Sequence, residues 1–293
     1  MLAKATILTG KRAISRSYAK INLTLDVLKR RENGYHDIKM IMQTVSLFDL
    51  VITDKTDGVI SVSTNLKYLP NNEKNIAYKA AAEFFYRTGI HGGAKIMIHK
   101  NIPVAAGLAG GSGNCAATLT SLNMLYSNIL SMEELKEIGA SLGADVPYCF
   151  DGSTQLAEGV GEILSPLPPM PDAYILLVKP PVNVSTGAVY EQIDSAPIAV
   201  RPDTDAMIDA LKRGSVQGVA DNLCNVMEAV TQKMYPVISG IKQKMLLNGA
   251  LGAVMSGSGP TVFGIFDDFK KAKKSADSFS MQFRDVFLTS VLN

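Results

Sequence analysis

The residues best suited to chemistry lie in one run, Pro103-Val104-Ala105-Ala106-Gly107-Leu108-Ala109-Gly110-Gly111-Ser112-Gly113-Asn114-Cys115-Ala116-Ala117, with glycine at 107, 110, 111 and 113. Glycine reaches positive φ without steric penalty and lets another molecule approach the main chain. Several together, followed by a helical pattern, therefore suggest a cradle for an anion. The unpaired N–H groups of the helix's first turn and its dipole would act on the same point, and phosphate is the anion such a site suits. A sharp strand-to-helix turn needs the same glycines, so the run by itself leaves both readings open. It is not a Walker A loop, because no Lys-Ser or Lys-Thr follows the glycines, and the spacing of a Rossmann fingerprint fails.

Other residue types offer less. His91 and His99 stand eight positions apart with no carboxylate or thiol at ligand spacing, so no metal site is expected. Cys115, Cys149 and Cys224 are odd in number and far apart, which argues against a disulfide framework or zinc and fits a reducing cytoplasm. The net charge of +2 is too small for a nucleic-acid footprint, and Lys270, Lys271, Lys273 and Lys274 read as a solvated helix face. No apolar run approaches the roughly 18 residues of a membrane span, so neither nucleic acid nor membrane is an expected partner. Residues 1–14, with Lys4, Lys11 and Arg12, read as an ordinary terminal extension.

A chain of 293 residues with 47% hydrophobic and 19% charged content has ordinary globular composition and is long enough for two domains. Ile21, Leu23, Leu25 and Val27 alternate as one buried face of a strand, which puts Lys20 and Asn22 on the other face. Asn33-Gly34 ends that strand, and Ile38 to Leu50 is extended. Val51–Thr53 and Val59–Val62, around Asp57-Gly58, read as a hairpin. A capped amphipathic helix runs from Ile76 to near Gly89, and a strand at Ile96–Ile98 leads into the glycine run. Ser131 and Glu134 form a capping box for a helix ending near Gly143.

Pro166, Pro168, Pro169 and Pro171 mark the best boundary, giving domains 1–165 and 166–293. The second half alternates: a strand at Tyr174–Val178, helical patterns from Ile208 to Gly249, two strands flanking Ser256-Gly257-Ser258-Gly259-Pro260, a helix from Asp268 and a last strand at Val286–Val291. The class is α+β.

Taken in order, Ala19-Lys-Ile-Asn-Leu23, Gly34-Tyr-His36, Pro103 to Ala117, Leu142-Gly-Ala-Asp-Val-Pro147, Ala157-Glu-Gly-Val-Gly161 and Ser256-Gly-Ser-Gly259 resemble the GHMP kinase superfamily over nearly the whole chain. The family is named for galactose, homoserine, mevalonate and phosphomevalonate kinases. The resemblance implies an N-terminal domain like ribosomal protein S5 domain 2, a ferredoxin-like C-terminal domain and an active site in the cleft between them. It implies ATP with Mg2+ as donor and, as acceptor, the tertiary hydroxyl of a cytidine diphosphate-linked methylerythritol on the non-mevalonate route to isoprenoid precursors. A small-molecule kinase of this kind is expected to be a cytoplasmic monomer or weak homodimer.

Residue by residue, the resemblance makes Asp145 the acceptor of the substrate's proton and Lys20 its electrostatic support. A turn-capping Asp and a solvated strand Lys are the structural alternatives. Pro103 to Gly113 would cradle the triphosphate, with Ser112 offering a hydroxyl to phosphate or Mg2+. Position 113 lacks the hydroxyl that members with Ser-Ser-Asn or Ser-Ser-Asp carry there. Asn75 would line the adenine pocket or cap a helix. Tyr35 would stack on cytosine, His36 would read its edge, Tyr190 would supply a second aromatic plane, and Asn22 and Thr186 would touch the substrate. Ser256–Gly259 would close over the site or form a plain hairpin turn. Another GHMP kinase with a different acceptor, or a non-catalytic nucleotide-binding regulator, would use the same scaffold. Gly34-Tyr35-His36 argues against the former, since a small aliphatic acceptor has no base to stack, and Lys20 with Asp145 argues against the latter.

Overall fold

In the computed structural model, which describes residues 5–195 and 198–293, the chain begins with β1 (Ala5–Thr9), β2 (Arg12–Arg30) and β3 (His36–Thr56). Residues 5–14 are thus not a simple extension: β1 is an edge strand pairing antiparallel with β2, Ala5 opposite Ser15. Lys4 lies outside the described residues. Strand β2 is much longer than the alternating run suggests because Arg12 to Ala19 mixes polar residues that do not advertise a buried face.

After β4 (Ile60–Thr64), α1 (Ile76–Thr88) and β5 (Gly93–His99), the expected hairpin proves wrong. Strand β5 lies between the two segments, antiparallel to β3 and parallel to β4. A parallel pair needs a crossover, and α1 supplies it, capped by Asn75 and ended by Gly89 at φ 65°. Next come α2 (Gly110–Leu125), α3 (Met132–Leu142) with the expected Ser131/Glu134 capping box, and the short α4 (Val146–Asp151).

The rest comprises β6 (Thr154–Glu158), β7 (Ile163–Pro166), β8 (Tyr174–Lys179), α5 (Thr186–Ser195), α6 (Thr204–Lys212), α7 (Val216–Asp221), β9 (Cys224–Asn225), α8 (Val226–Met234), α9 (Val237–Leu247), β10 (Gly252–Met255), β11 (Val262–Phe266), α10 (Phe269–Ser280) and β12 (Asp285–Ser290).

The residues group into two compact units that are not contiguous in sequence. One gathers the residues up to Ala19, Phe48–Val104 and Ala109–Gly152; the other gathers Lys20–Leu47, Ala105–Leu108 and Ser153–Asn293. In the first, residues 12–19 of β2 and 48–56 of β3 join β1, β5 and β4 in the order β1-β2-β3-β5-β4 and carry α1, α2 and α3 over a core that includes Phe84, Ile96, Leu119 and Leu122. Each such side chain contributes about 1.5–3 kcal/mol when fully buried. In the second, a four-stranded antiparallel sheet runs β10-β11-β8-β12. The lysines of α10 are exposed, while Ala272, Ser275, Ala276 and Phe279 line its buried side.

Candidate active site

Strand β2 is buried on both faces between Lys20 and Val27, and this changes the meaning of its polar residues. Lys20 is only 4% exposed and Asn22 is fully buried, so Lys20 is not a solvated strand lysine. Its Nζ donates to Asn22 Oδ1 at 2.8 Å, and Asn22 Nδ2 donates to Met40 Sδ at 3.1 Å. Further along the strand, desolvation pushes the Asp26 carboxyl up although Arg201 donates to it at 2.6 Å. A buried lysine and carboxylate need partners to be tolerated: Asn22 on the same strand serves Lys20, and Arg201, distant in sequence, serves Asp26.

The glycine run crosses positive φ three times, at Ala105 (50°), Gly107 (74°) and Ala109 (55°). Two alanines held in the left-handed region cost about 1–2 kcal/mol each, a conformation that persists only where its surroundings impose it. The carbonyls of Gly107 and Leu108 accept from Ser256 Oγ (3.0 Å) and Lys20 N (3.2 Å). By contrast, apart from Ala106, whose N–H closes a turn on Pro103 O, the N–H groups of Ala105 to Ser112 find no backbone acceptor among the described residues. Ala109 is the N-cap of α2 and offers no side-chain cap, leaving the helix's opening amides without a protein partner. Such an array binds anions.

Gly113 is explained by its neighbour. A Cβ there would lie 2.4 Å from Ser17 Oγ, a hydroxyl that β2 already places against the helix. In the same unit, Gly143 packs near Ser112, its Cβ position being 3.9 Å from Ser112 Oγ. Two residues on, Asp145 occupies the N-cap position of α4 without a side-chain capping hydrogen bond to it.

The second glycine turn, Ser256 to Pro260, joins β10 to β11. Asn225 Nδ2 donates to Met255 O (2.7 Å) and Gly257 O (2.8 Å), and Ser256 Oγ reaches Gly107 O and, at 3.5 Å, Asn22 Oδ1. This turn therefore meets residues 105–108 and Asn22 rather than standing as an isolated hairpin. Thr186 opens α5 with its hydroxyl 2.8 Å from Ser258 Oγ.

His36 is buried, stacks on Tyr190 with ring centroids 4.6 Å apart, and has its Nε2 2.7 Å from Asp194 Oδ1. Tyr35 is 64% exposed. Gly159 accepts the N–H of Ile38 at 2.7 Å, which fixes the 159–161 turn beside this end of β3. Asn75 uses its amide locally, accepting from Ala77 N at 3.0 Å and donating to Pro70 O at 2.8 Å. His91 and His99 are exposed. Among the described residues no group of three His, Cys, Asp or Glu side chains is arranged to hold a metal ion, and no helix is long and apolar enough to cross a membrane.

Sequence reasoning missed Asn225 and Asp49. Asn225 sits in a short strand with no pattern to mark it. Asp49 did leave a signal, a carboxylate in phase with buried Val51 and Thr53 on β3.

The GHMP kinases N terminal domain matches residues 75–153 and the GHMP kinases C terminal domain matches residues 207–285. The chain belongs to the GHMP kinase family. It is 47% identical over 285 residues, 97% of this chain and 98% of the other, to a 4-diphosphocytidyl-2-C-methyl-D-erythritol kinase of Alkaliphilus oremlandii. A protein of the same name from Caldicellulosiruptor saccharolyticus is 49% identical over 278 residues, 94% of this chain and 96% of its own. The crystal structure of a 4-(cytidine 5'-diphospho)-2C-methyl-D-erythritol kinase superposes with a TM-score of 0.82 at 29% identity, over 96% of this chain and 99% of that one.

Proposed function

We propose that the chain transfers the terminal phosphoryl group of ATP to the 2-hydroxyl of 4-diphosphocytidyl-2-C-methyl-D-erythritol, a step in making isoprenoid precursors. The observation that carries this reading is near-full-length identity of 47% and 49% to proteins bearing that activity as their name. The free N–H groups of the glycine run support the donor half of it, since a triphosphate is the anion they would hold.

Phosphoryl transfer asks the protein for positioning and charge neutralisation rather than covalent chemistry. The main chain from Pro103 through Val104, Ala105, Ala106, Gly107, Leu108, Ala109, Gly110, Gly111, Ser112 and Gly113 orients the triphosphate. Asp145 takes the proton of the attacking hydroxyl, and Lys20 supports the charge that develops. Mg2+ bound with the nucleotide would neutralise the β and γ oxygens. Such an ion would be carried mainly by phosphate and water, with Ser112 as the protein hydroxyl closest in kind. Asn22 and Thr186 hold the alcohol, while Tyr35, His36 and Tyr190 receive the cytosine. Asn75 borders the adenine in addition to capping α1. The division at residue 165 into an S5 domain 2-like part and a ferredoxin-like part belongs to the same proposal, supported for the latter by the antiparallel sheet β10-β11-β8-β12.

The test is ADP release against a panel of the cytidine diphosphate alcohol, mevalonate and homoserine, where only the first is expected to support turnover. Turnover with homoserine instead would overturn the acceptor assignment. Asp145→Asn is expected to keep ADP affinity within about threefold while turnover falls at least about 10³-fold, in line with loss of a general base. Full activity in that variant removes Asp145 from the mechanism.

A further inference from the structure

The glycine run has two ends, and a single carboxylate meets both. Asp49 lies in β3 and is fully buried. Its Oδ1 accepts the N–H of Asn101 at 2.7 Å and of Ile102 at 2.8 Å, the two residues that lead into Pro103. Its Oδ2 pairs with the Lys100 ammonium and accepts Asn114 Nδ2 at 2.9 Å, and Asn114 is the residue that follows Gly113. Lys100 Nζ donates to Asn114 Oδ1 at 3.0 Å, and Asn114 Nδ2 also reaches Ser17 Oγ at 3.1 Å. Lys100 and Asn114 are themselves 8% and 4% exposed, so the cluster is screened from water.

A strand of this kind does not by itself call for a buried ion pair. Replacing a buried ion pair by apolar residues of similar volume is often neutral or stabilising, so stability alone does not account for this one. Its hydrogen bonds converge instead on residues 100–102 and 114, on either side of a segment that contains left-handed alanines and unpartnered N–H groups. Held at one end only, such a segment would lose its conformation, and preorganised donors act on a transition state only when they are already in place.

We propose that Asp49, acting through Lys100 and Asn114, is a positioning residue that clamps the two ends of the glycine run and so fixes its N–H groups for the phosphates of the nucleotide. The proposal rests on the phosphate reading of the run. None of the clamp residues needs to touch nucleotide or acceptor for it to work.

The experiment replaces the pair together, Asp49→Leu with Lys100→Met, so that no charge is left unpaired in the interior. The double variant leaves the N–H groups of Asn101 and Ile102 without their acceptor and is expected to melt several degrees below the parent, to show a KM for ATP raised about tenfold or more, and to leave the KM for the acceptor alcohol unchanged within about twofold. A purely structural role would move both KM values alike. Asn114→Leu, which frees only the trailing end and keeps the ion pair, is expected to give a smaller rise in the same KM and serves if the double variant does not fold. An unchanged KM for ATP in either folded variant overturns the clamp, as does failure of both to fold, which would make the cluster a requirement of the fold. Calorimetric titration of the parent with ADP separates the two layers of argument. No binding by the parent sinks the phosphate reading itself, whereas equal binding by parent and variant sinks the clamp alone.

Discussion

The turn at residues 103–113 and the turn at residues 256–260 are both rich in glycine, but they spend their backbone groups differently. In the first, carbonyls are taken by protein donors and, Ala106 aside, the N–H groups from Ala105 to Ser112 find no backbone acceptor among the described residues. In the second, Ser256 N donates to Thr261 O at 2.9 Å, Gly259 N donates to Ser256 O at 3.0 Å, and two carbonyls accept from Asn225. The first turn presents a run of donors; the second leaves only Gly257 and Ser258 N–H without a backbone acceptor among the described residues, closes on itself through Gly259 N and braces residues 105–108. Glycine density alone does not separate a ligand cradle from a brace. The fate of the N–H groups does, since a main-chain donor left without a partner is costly unless water or a ligand takes it.

Gly107→Ala is the strongest way to break that distinction. Gly107 combines φ 74° with a Cβ position 2.2 Å from Ser256 O, a backbone atom that cannot move without dragging the second turn. The left-handed penalty and the overpacking together amount to about 2–5 kcal/mol of stability. We expect a lower melting temperature and at least about a 10²-fold loss in kcat/KM, carried by the KM for ATP. Gly257→Ala, at φ 58° with its Cβ 3.3 Å from Gly107 O, meets a looser contact and should reduce melting more than ATP affinity. Equal effects of the two on the KM for ATP would erase the difference between presenting and bracing.

The order of elements was largely readable because it rests on local patterns. Ser131 with Glu134, Gly89 after α1 and Asp268 before α10 all punctuate helices as their residue types dictate. What escaped was set by neighbours distant in sequence. Asp57-Gly58 carries good hairpin chemistry, but the preference of β5 for the slot between β3 and β4 overrides it. Alternation of Ile21, Leu23 and Leu25 implied one wet face for β2, but residues brought in from elsewhere cover both, which is why Lys20 is buried. In the candidate site, the glycine run stood out as a strand-to-helix turn with unusual backbone because its conformation is main-chain and local. Asp49 did not, because its meaning depends on Lys100 and Asn114, more than fifty positions away.

Gly113 sharpens the comparison from another side, because its glycine is required by space rather than by backbone conformation. Gly113→Ser places a Cβ 2.4 Å from Ser17 Oγ and is expected to destabilise by about 1–3 kcal/mol, as overpacking of a filled interior does. Ser17→Ala removes the obstructing hydroxyl and leaves the Ser17 Cβ 3.7 Å away, an ordinary contact. The two changes together should lie within about 1 kcal/mol of the parent, giving a coupling energy readable from a denaturant double-mutant cycle. Additive losses would mean that Ser17 does not stand in the place of a residue-113 side chain.

The cysteines report on the two turns with the smallest perturbation. Cys115 follows the first turn on α2, and burial pushes its thiol up to about 12 although a helix N-terminus ordinarily lowers a thiol. Cys224, next to the Asn225 that holds the second turn, is pushed up by burial and then by Asp26 and Glu228. A raised thiol holds less thiolate at any given pH, so native labelling by a disulfide reagent at pH 7 should be slow at Cys224 and climb only as pH passes the ordinary thiol range. Cys115 should stay unlabelled until the chain is unfolded, because at pH 9 its thiolate fraction is still only about 10⁻³ and no path of solvent reaches it. Native labelling of Cys115 ahead of Cys224 would mean that α2 opens more readily than the braced turn. The N–H array at its start would then be fixed by the nucleotide rather than awaiting it.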